Sequence, residues 1–245
     1  MTAEAADRRV LGAIRFVDAV TGLRVLDRLR VGFPDGIRGT RNLQGLFVVT
    51  GAPGQHDATA TIDAPEYDPD AAEPVEFDVA DPAGRYLSRR HRISLPRDPR
   101  PANAAHADSL FLPVEVRLFP SPAARPAPGW AVIRATVAGD APGTTLPGAL
   151  VRAVKAADGT LLSSGLADAR GEALVAVPGI PVTTWATGGG AVVTSTMDVL
   201  LQVVWDPAAA GRLPDPDDLE ARRADLAVRT TAVTLASGQV LVRTL

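Results

Sequence analysis

Residues Trp130–Val177 read WAVIRATVAGDAPGTTLPGALVRAVKAADGTLLSSGLADARGEALVAV. Ala131, Ile133 and Ala135 alternate with Val132, Arg134 and Thr136, and Leu150 to Ala153 and Ala173 to Val177 suit extended backbone equally well. Each run closes on turn chemistry: Pro142-Gly143, Asp158-Gly159 and Arg170-Gly171. Period-two segments cut by short polar turns predict an antiparallel β-sandwich. A module of this kind usually displays surfaces rather than performing chemistry.

Within the stretch, Leu146-Pro147-Gly148-Ala149, Asp158-Gly159, Asp168-Ala169-Arg170-Gly171 and Pro178-Gly179 form a spaced set. Pro147-Gly148 turns the chain into a strand, and Asp158-Gly159 suits a hairpin needing positive φ. Asp168 can bond neighbouring backbone while Gly171 supplies the permissive dihedral. This pattern resembles the transthyretin-like, carboxypeptidase-regulatory type of Ig-like domain, over about fifty of the 245 residues. The resemblance implies a seven-stranded sandwich over residues about 130–205 that accompanies catalysis elsewhere rather than carrying it.

Outward from this module the chain reads as all-β: two tandem Ig-like antiparallel sandwiches with one short helix toward the C-terminus. The expected organisation is an N-terminal sandwich over 1–120, a Pro-rich linker over 121–129, and a second sandwich over 130–245. The linker follows from the prolines of Pro120–Gly129, which favour an extended, semi-rigid spacer. In the first half, Val10 to Val17 and Leu23 to Val31 read as strands, and Val75 to Val79 pairs with Tyr86 to Leu95 across Asp81–Gly84. Gly45–Gly54 and Gly171–Gly179 share a Gly entry, an apolar run and a Pro-Gly exit, which suggests an internal duplication as readily as shared turn chemistry. Late in the chain, Asp217 is the expected N-cap of a short helix with Glu220 at the capping-box position. Thr230 to Leu235 and Val240 to Thr244 are expected to form a terminal hairpin, closing within its own domain or lent to a partner.

The composition excludes several function classes. A net charge of -3 argues against a nucleic-acid partner, which needs a basic face. No run of eighteen apolar residues suggests a membrane span. The absence of cysteine excludes disulfides and thiol chemistry and fits the cytoplasm. Lys155 is the sole lysine, so the Arg-rich, Ala-rich usage reflects a GC-rich bacterial genome rather than a binding surface.

No chemistry-bearing constellation emerges. His56, His91 and His106 are too scattered for a zinc set, and His91, between Arg90 and Arg92, reads as a solvated strand residue. Ser163-Ser164-Gly165 lacks the nucleophile-elbow pattern, and Gly188-Gly189-Gly190 lacks the Lys-Ser/Thr and helix of a phosphate loop. The acidic residues from Asp63 to Asp81 lack EF-hand spacing. No catalytic, cofactor or metal residue is therefore nominated. The interface candidates are Trp185 with the adjoining Gly188, Gly189 and Gly190, and the basic run Arg89, Arg90 and Arg92; Trp130 and Trp205 read as core.

Two functions from different classes remain. The first is a non-enzymatic structural or adaptor protein. The opening VLGAIRFVDAVTGLRV followed by a transthyretin-like module is similar to accessory proteins of phage-tail-like contractile injection systems. That resemblance implies partners among tube, sheath or baseplate subunits, or further copies of the chain, in a large cytoplasmic particle. The second is a carbohydrate- or peptide-binding module or pocket enzyme, whose polar groups only tertiary structure would bring together.

Overall fold

The computed structural model describes residues 10–52, 72–180 and 196–245. It is all-β and sandwich-like, with fourteen strands and one short α-helix among the described residues. These residues divide into two compact units: 10–17, 23–52, 72–79 and 90–117 in the first, and 18–22, 80–89, 118–180 and 196–245 in the second.

The strands of the first half are β1 (Gly12–Asp18), β2 (Arg30–Gly32), β3 (Arg38–Arg41), β4 (Phe47–Gly51), β5 (Glu73–Ala80), β6 (Arg89–Leu95) and β7 (Val114–Leu118). They form one sheet of order β3-β4-β1-β7 and another of order β2-β5-β6. Alternation does the sorting: Ile14, Phe16, Phe77, Val79, Ile93, Leu95 and Val116 are buried on inward positions. Phe33 stacks on Phe47 of one sheet (5.5 Å) and Phe77 of the other (4.8 Å), and His91 meets Phe77 edge-on at 5.5 Å. His91 is thus buried against an aromatic ring, where the sequence suggested a solvated side chain. Leu23 to Val31 also departs from expectation, since only Arg30–Gly32 is strand. The Arg41 guanidinium takes the Val25 carbonyl (3.2 Å) and the Asp27 carbonyl, so these oxygens serve a side chain rather than a ladder.

The second half holds β8 (Ala131–Thr136), β9 (Leu150–Lys155), β10 (Leu161–Leu166), β11 (Glu172–Val177), β12 (Thr196–Trp205), α1 (Pro216–Ala221), β13 (Ala227–Ala236) and β14 (Val240–Thr244). Its sheets run β10-β9-β12-β13 and β11-β8-β14. Ile133, Val175 and Leu241 of the smaller sheet and Val151, Leu201 and Leu235 of the larger share one buried cluster. The expected terminal hairpin does not form. β13 pairs with β12, and β14 crosses to the other sheet to pair in parallel with β8. Both late strands therefore close their own sandwich, with Leu235 and Leu241 as the buried anchors.

Numbered from one to seven within each half, the strands obey one plan. The fourth, first and seventh pair in that order (β4-β1-β7 and β11-β8-β14), and so do the second, fifth and sixth (β2-β5-β6 and β9-β12-β13). Only the third strand differs, joining the fourth in the first unit and the second in the next. The similar segments Gly45–Gly54 and Gly171–Gly179 contain the fourth strand of each half, antiparallel to the first in both. The two segments that share a Gly entry and a Pro-Gly exit in sequence thus hold strands at equivalent places in the two sheets.

The second sandwich is pinched shut on one side. At Gly165 of β10, a methyl group would sit 2.3 Å from the Leu174 carbonyl oxygen of β11, so only glycine lets these strands of opposite sheets meet. Gly165→Ala is expected to lower stability by roughly 1–3 kcal/mol through overpacking, read as a lower urea midpoint. An unchanged midpoint would mean that the close approach is absent. Gly171 is constrained differently: its φ of 78° is left-handed, and a Cβ would meet Thr145 at 2.5 Å.

Pro120–Gly129, expected as a linker between domains, lies inside the second unit. Phe119 is buried with Leu150, Leu166, Val204 and Leu219, and Arg134 of β8 donates to the carbonyls of Pro122 and Ala124 (3.2 Å for the latter). The proline run is thereby tied to the outer face of β8.

Candidate functional site

Of the interface residues nominated from sequence, Trp185, Gly188, Gly189 and Gly190 lie outside the described residues. The basic run behaves unlike a patch. Arg89 is fully buried, its Nη2 2.6 Å from Asp217 Oδ2 and 3.3 Å from Asp215 Oδ1. It sits there because α1 opens on a cluster of acids that needs a cation. Asp215, rather than the expected Asp217, is the N-cap, accepting from the N–H groups of Asp217 and Asp218, with Pro216 at the first helical position. Arg90 and Arg92 remain partly or largely exposed but lie across from the acids of β5. Arg90 pairs with Asp78 (2.9 Å) and Glu76 (3.4 Å), and Arg92 with Glu76 (2.7 Å). The acidic strand neutralises the basic one.

The structure brings other features forward. The first is the side of the second sandwich opposite the Gly165 pinch, where β13 and β14 are edge strands of the two sheets. Which backbone groups of β13 are open follows from the ladder. Ala156 N–H bonds the Asp198 carbonyl at 2.9 Å, so Asp198 and every second residue of β12 direct their groups to β9. The alternate set, Met197, Val199, Leu201, Val203 and Trp205, serves β13 through Leu235, Val233, Thr231, Arg229 and Ala227. Among the described residues, Val228, Thr230, Ala232 and Thr234 are left pointing outward without a strand to pair with. At the end of the strand the Ala236 N–H is covered by Gln239 Oε1 at 2.9 Å. On β14, Leu245 and the Gln239 carbonyl bond to β8, so Val240, Val242 and Thr244 face outward. Val240 and Val242 are 59% and 68% exposed.

Edges of this kind are templates for another strand unless charge, proline or a bulge blunts them. β13 runs ten residues in unbroken register with one charge, Arg229, whose Nη2 is turned to the Ala138 carbonyl (2.5 Å). Its counterpart in the first unit, the sixth strand β6, begins Arg-Arg-His-Arg. Among the described residues, no strand lies across from β13 on its outer side. Sequence carried this signal in the run AVRTTAVTLA, but not the fact that the strand lies at a sheet margin.

The second feature is a groove of about 320 Å³ in the second unit, lined among others by Tyr86, Pro120, Arg125, Pro126, Trp130 and Leu174. Tyr86 is held by its hydroxyl, which donates to Asp18 Oδ2 at 3.1 Å. Asp18 Oδ1 in turn accepts from the N–H groups of Val20 and Thr21. Trp130 is half-buried in the wall, and Arg125 is exposed at the rim with no ion pair among the described residues. Trp205 is half-buried and packs against the main core, as expected. Among the described residues no helix is long and apolar enough to cross a membrane.

No family model matches the chain, and no curated protein matches it. Among solved structures, the Bacillus anthracis TIE protein is 11% identical, with a TM-score of 0.30 over 96% of this chain and 34% of that one. The chain thus spans about a third of that protein's length. A "putative cell adhesion protein" of Bacteroides fragilis is 10% identical, with a TM-score of 0.19 over 97% of this chain and 91% of that one.

Proposed function

We propose that the protein is a non-enzymatic structural or adaptor component that binds other proteins through its β-sandwich surfaces. The assembly we assign it to is a phage-tail-like contractile injection system, as a cap, adaptor or baseplate component. The observation that carries the adaptor reading is the open edge of the second sandwich: Val228, Thr230, Ala232 and Thr234 offer a ladder to an added strand. Exposed Val240 and Val242 on the neighbouring edge add apolar surface to the same side. The family reading for residues 130–205, a transthyretin-like Ig-type domain, is supported by their five strands β8–β12, which β13 and β14 beyond residue 205 complete to a seven-stranded sandwich, and by the left-handed φ of Gly171 within the Asp168–Gly171 turn.

The test uses the outward geometry. Thr230→Pro removes one outward N–H without touching a bond to β12. The variant is expected to fold with nearly unchanged melting and to fail to co-sediment with the native particle. Normal incorporation of this variant would contradict docking at β13.

A second reading rests on the groove. Two aromatic side chains, Tyr86 and Trp130, converge in a chain with only 4% aromatic residues, which favours a bound sugar ring or a proline-bearing peptide. Titration of such ligands against wild type and Trp130→Ala separates it from the adaptor reading.

A further inference from the structure

We propose that the occupant of the β13 edge is a second copy of the chain, paired antiparallel about a twofold axis at Thr231. This rests on the reading of that edge as a docking site and names its partner. In an antiparallel pair, residues whose groups face each other exchange two hydrogen bonds. The outward residues are Val228, Thr230, Ala232 and Thr234, spaced evenly about Thr231. A dyad at Thr231 places Val228 opposite Thr234 of the second copy and Thr230 opposite its Ala232, so every outward residue is matched. Shifting the dyad one residue either way leaves Val228 or Thr234 without a partner.

Side chains permit the same register. Arg229 falls opposite Val233 of the second copy, so the strand's one charge never meets itself. Thr231 meets Thr231, and both are exposed. β14, at the same side of the second unit, supplies the adjoining apolar residues Val240 and Val242.

Because the chain has no cysteine, Thr231→Cys introduces a single thiol. Opposed residues of a non-hydrogen-bonded pair lie about 4.5 Å apart between Cα atoms, inside the roughly 4.4–6.8 Å range that a disulfide spans. Under mild oxidation the full chain carrying Thr231→Cys is expected to convert almost completely to a covalent dimer. Arg229→Cys, whose thiols in this register are separated by about 14 Å along the strands, should cross-link at least tenfold more slowly. Light scattering should give twice the 25.5 kDa chain mass for wild type and the chain mass for Ala232→Pro. Equal cross-linking at both positions, or a monomeric wild type, overturns the twofold pairing. If wild type is monomeric but Ala232→Pro still loses incorporation into the native particle, a different chain occupies the edge, and the docking reading survives without this inference. If wild type is monomeric and Ala232→Pro incorporates normally, both fall.

Discussion

Truncating Leu201 to alanine is expected to lower the stability of the second unit by about 3–5 kcal/mol. Leu201 is fully buried in the middle of β12, in the cluster shared by both sheets. The cost of a cavity depends on how far its walls collapse, and these walls are short. Ala131, Ala135, Ala149, Ala153 and Ala173 line the same cluster, and Ala153 is Leu201's neighbour across the ladder. Alanine has no rotamer with which to fill a gap, so the upper part of the known range applies. The measurement is the denaturant midpoint at unchanged slope. Leu201→Met, which conserves volume, should cost less than about 1.5 kcal/mol. A small effect from the alanine variant would mean that the two sheets do not share this core.

Replacing Arg89 with alanine is expected to cost about 3 kcal/mol, the lower end of the range for breaking a buried ion pair. The lower end applies because Asp217 and Asp215 keep 31% and 17% of their side-chain surface in water, whereas Arg89 keeps none. Removing the guanidinium leaves two carboxylates beside each other at the start of α1, one of them the helix cap. Lysine at position 89 should recover only part of the loss, since an ammonium is more strongly hydrated than a guanidinium and costs more to bury fully. The loss should persist in high salt, because buried charges are poorly screened. A change within about 0.5 kcal/mol, as at ordinary surface sites, would return Arg89 to the surface role suggested by its sequence neighbours.

The strands of the Trp130–Val177 stretch were legible because burial there enforces a period of two: β8, β9 and β11 fall on the residues whose alternation and apolar runs announced them. The Gly entry and Pro-Gly exit likewise mark strands at equivalent places in both halves, β4 and β11. What was not legible depended on partners distant in sequence. Arg89 reads as one of a surface run until Asp215 and Asp217, 126 and 128 residues later, are brought to it. Alternation in Thr230 to Thr244 gave two strands correctly but not their sheets, because period two fixes the face and leaves the neighbour open. The helix cap could have been read: in Asp215-Pro216-Asp217-Asp218, proline's preference for the first helical position selects Asp215. Open edges lie beyond any local pattern, since the same residues in a central strand would have no groups to offer.

The most direct test of the docking edge is amide hydrogen exchange along β13. In the Thr230→Pro variant, Arg229, Thr231, Val233 and Leu235 should be protected by β12, while Val228, Ala232 and Thr234 exchange orders of magnitude faster. In the assembled wild-type protein the second set should become as slow as the first. Fast exchange at Val228, Ala232 and Thr234 in the assembled wild type would show that nothing pairs with this edge and would contradict the account.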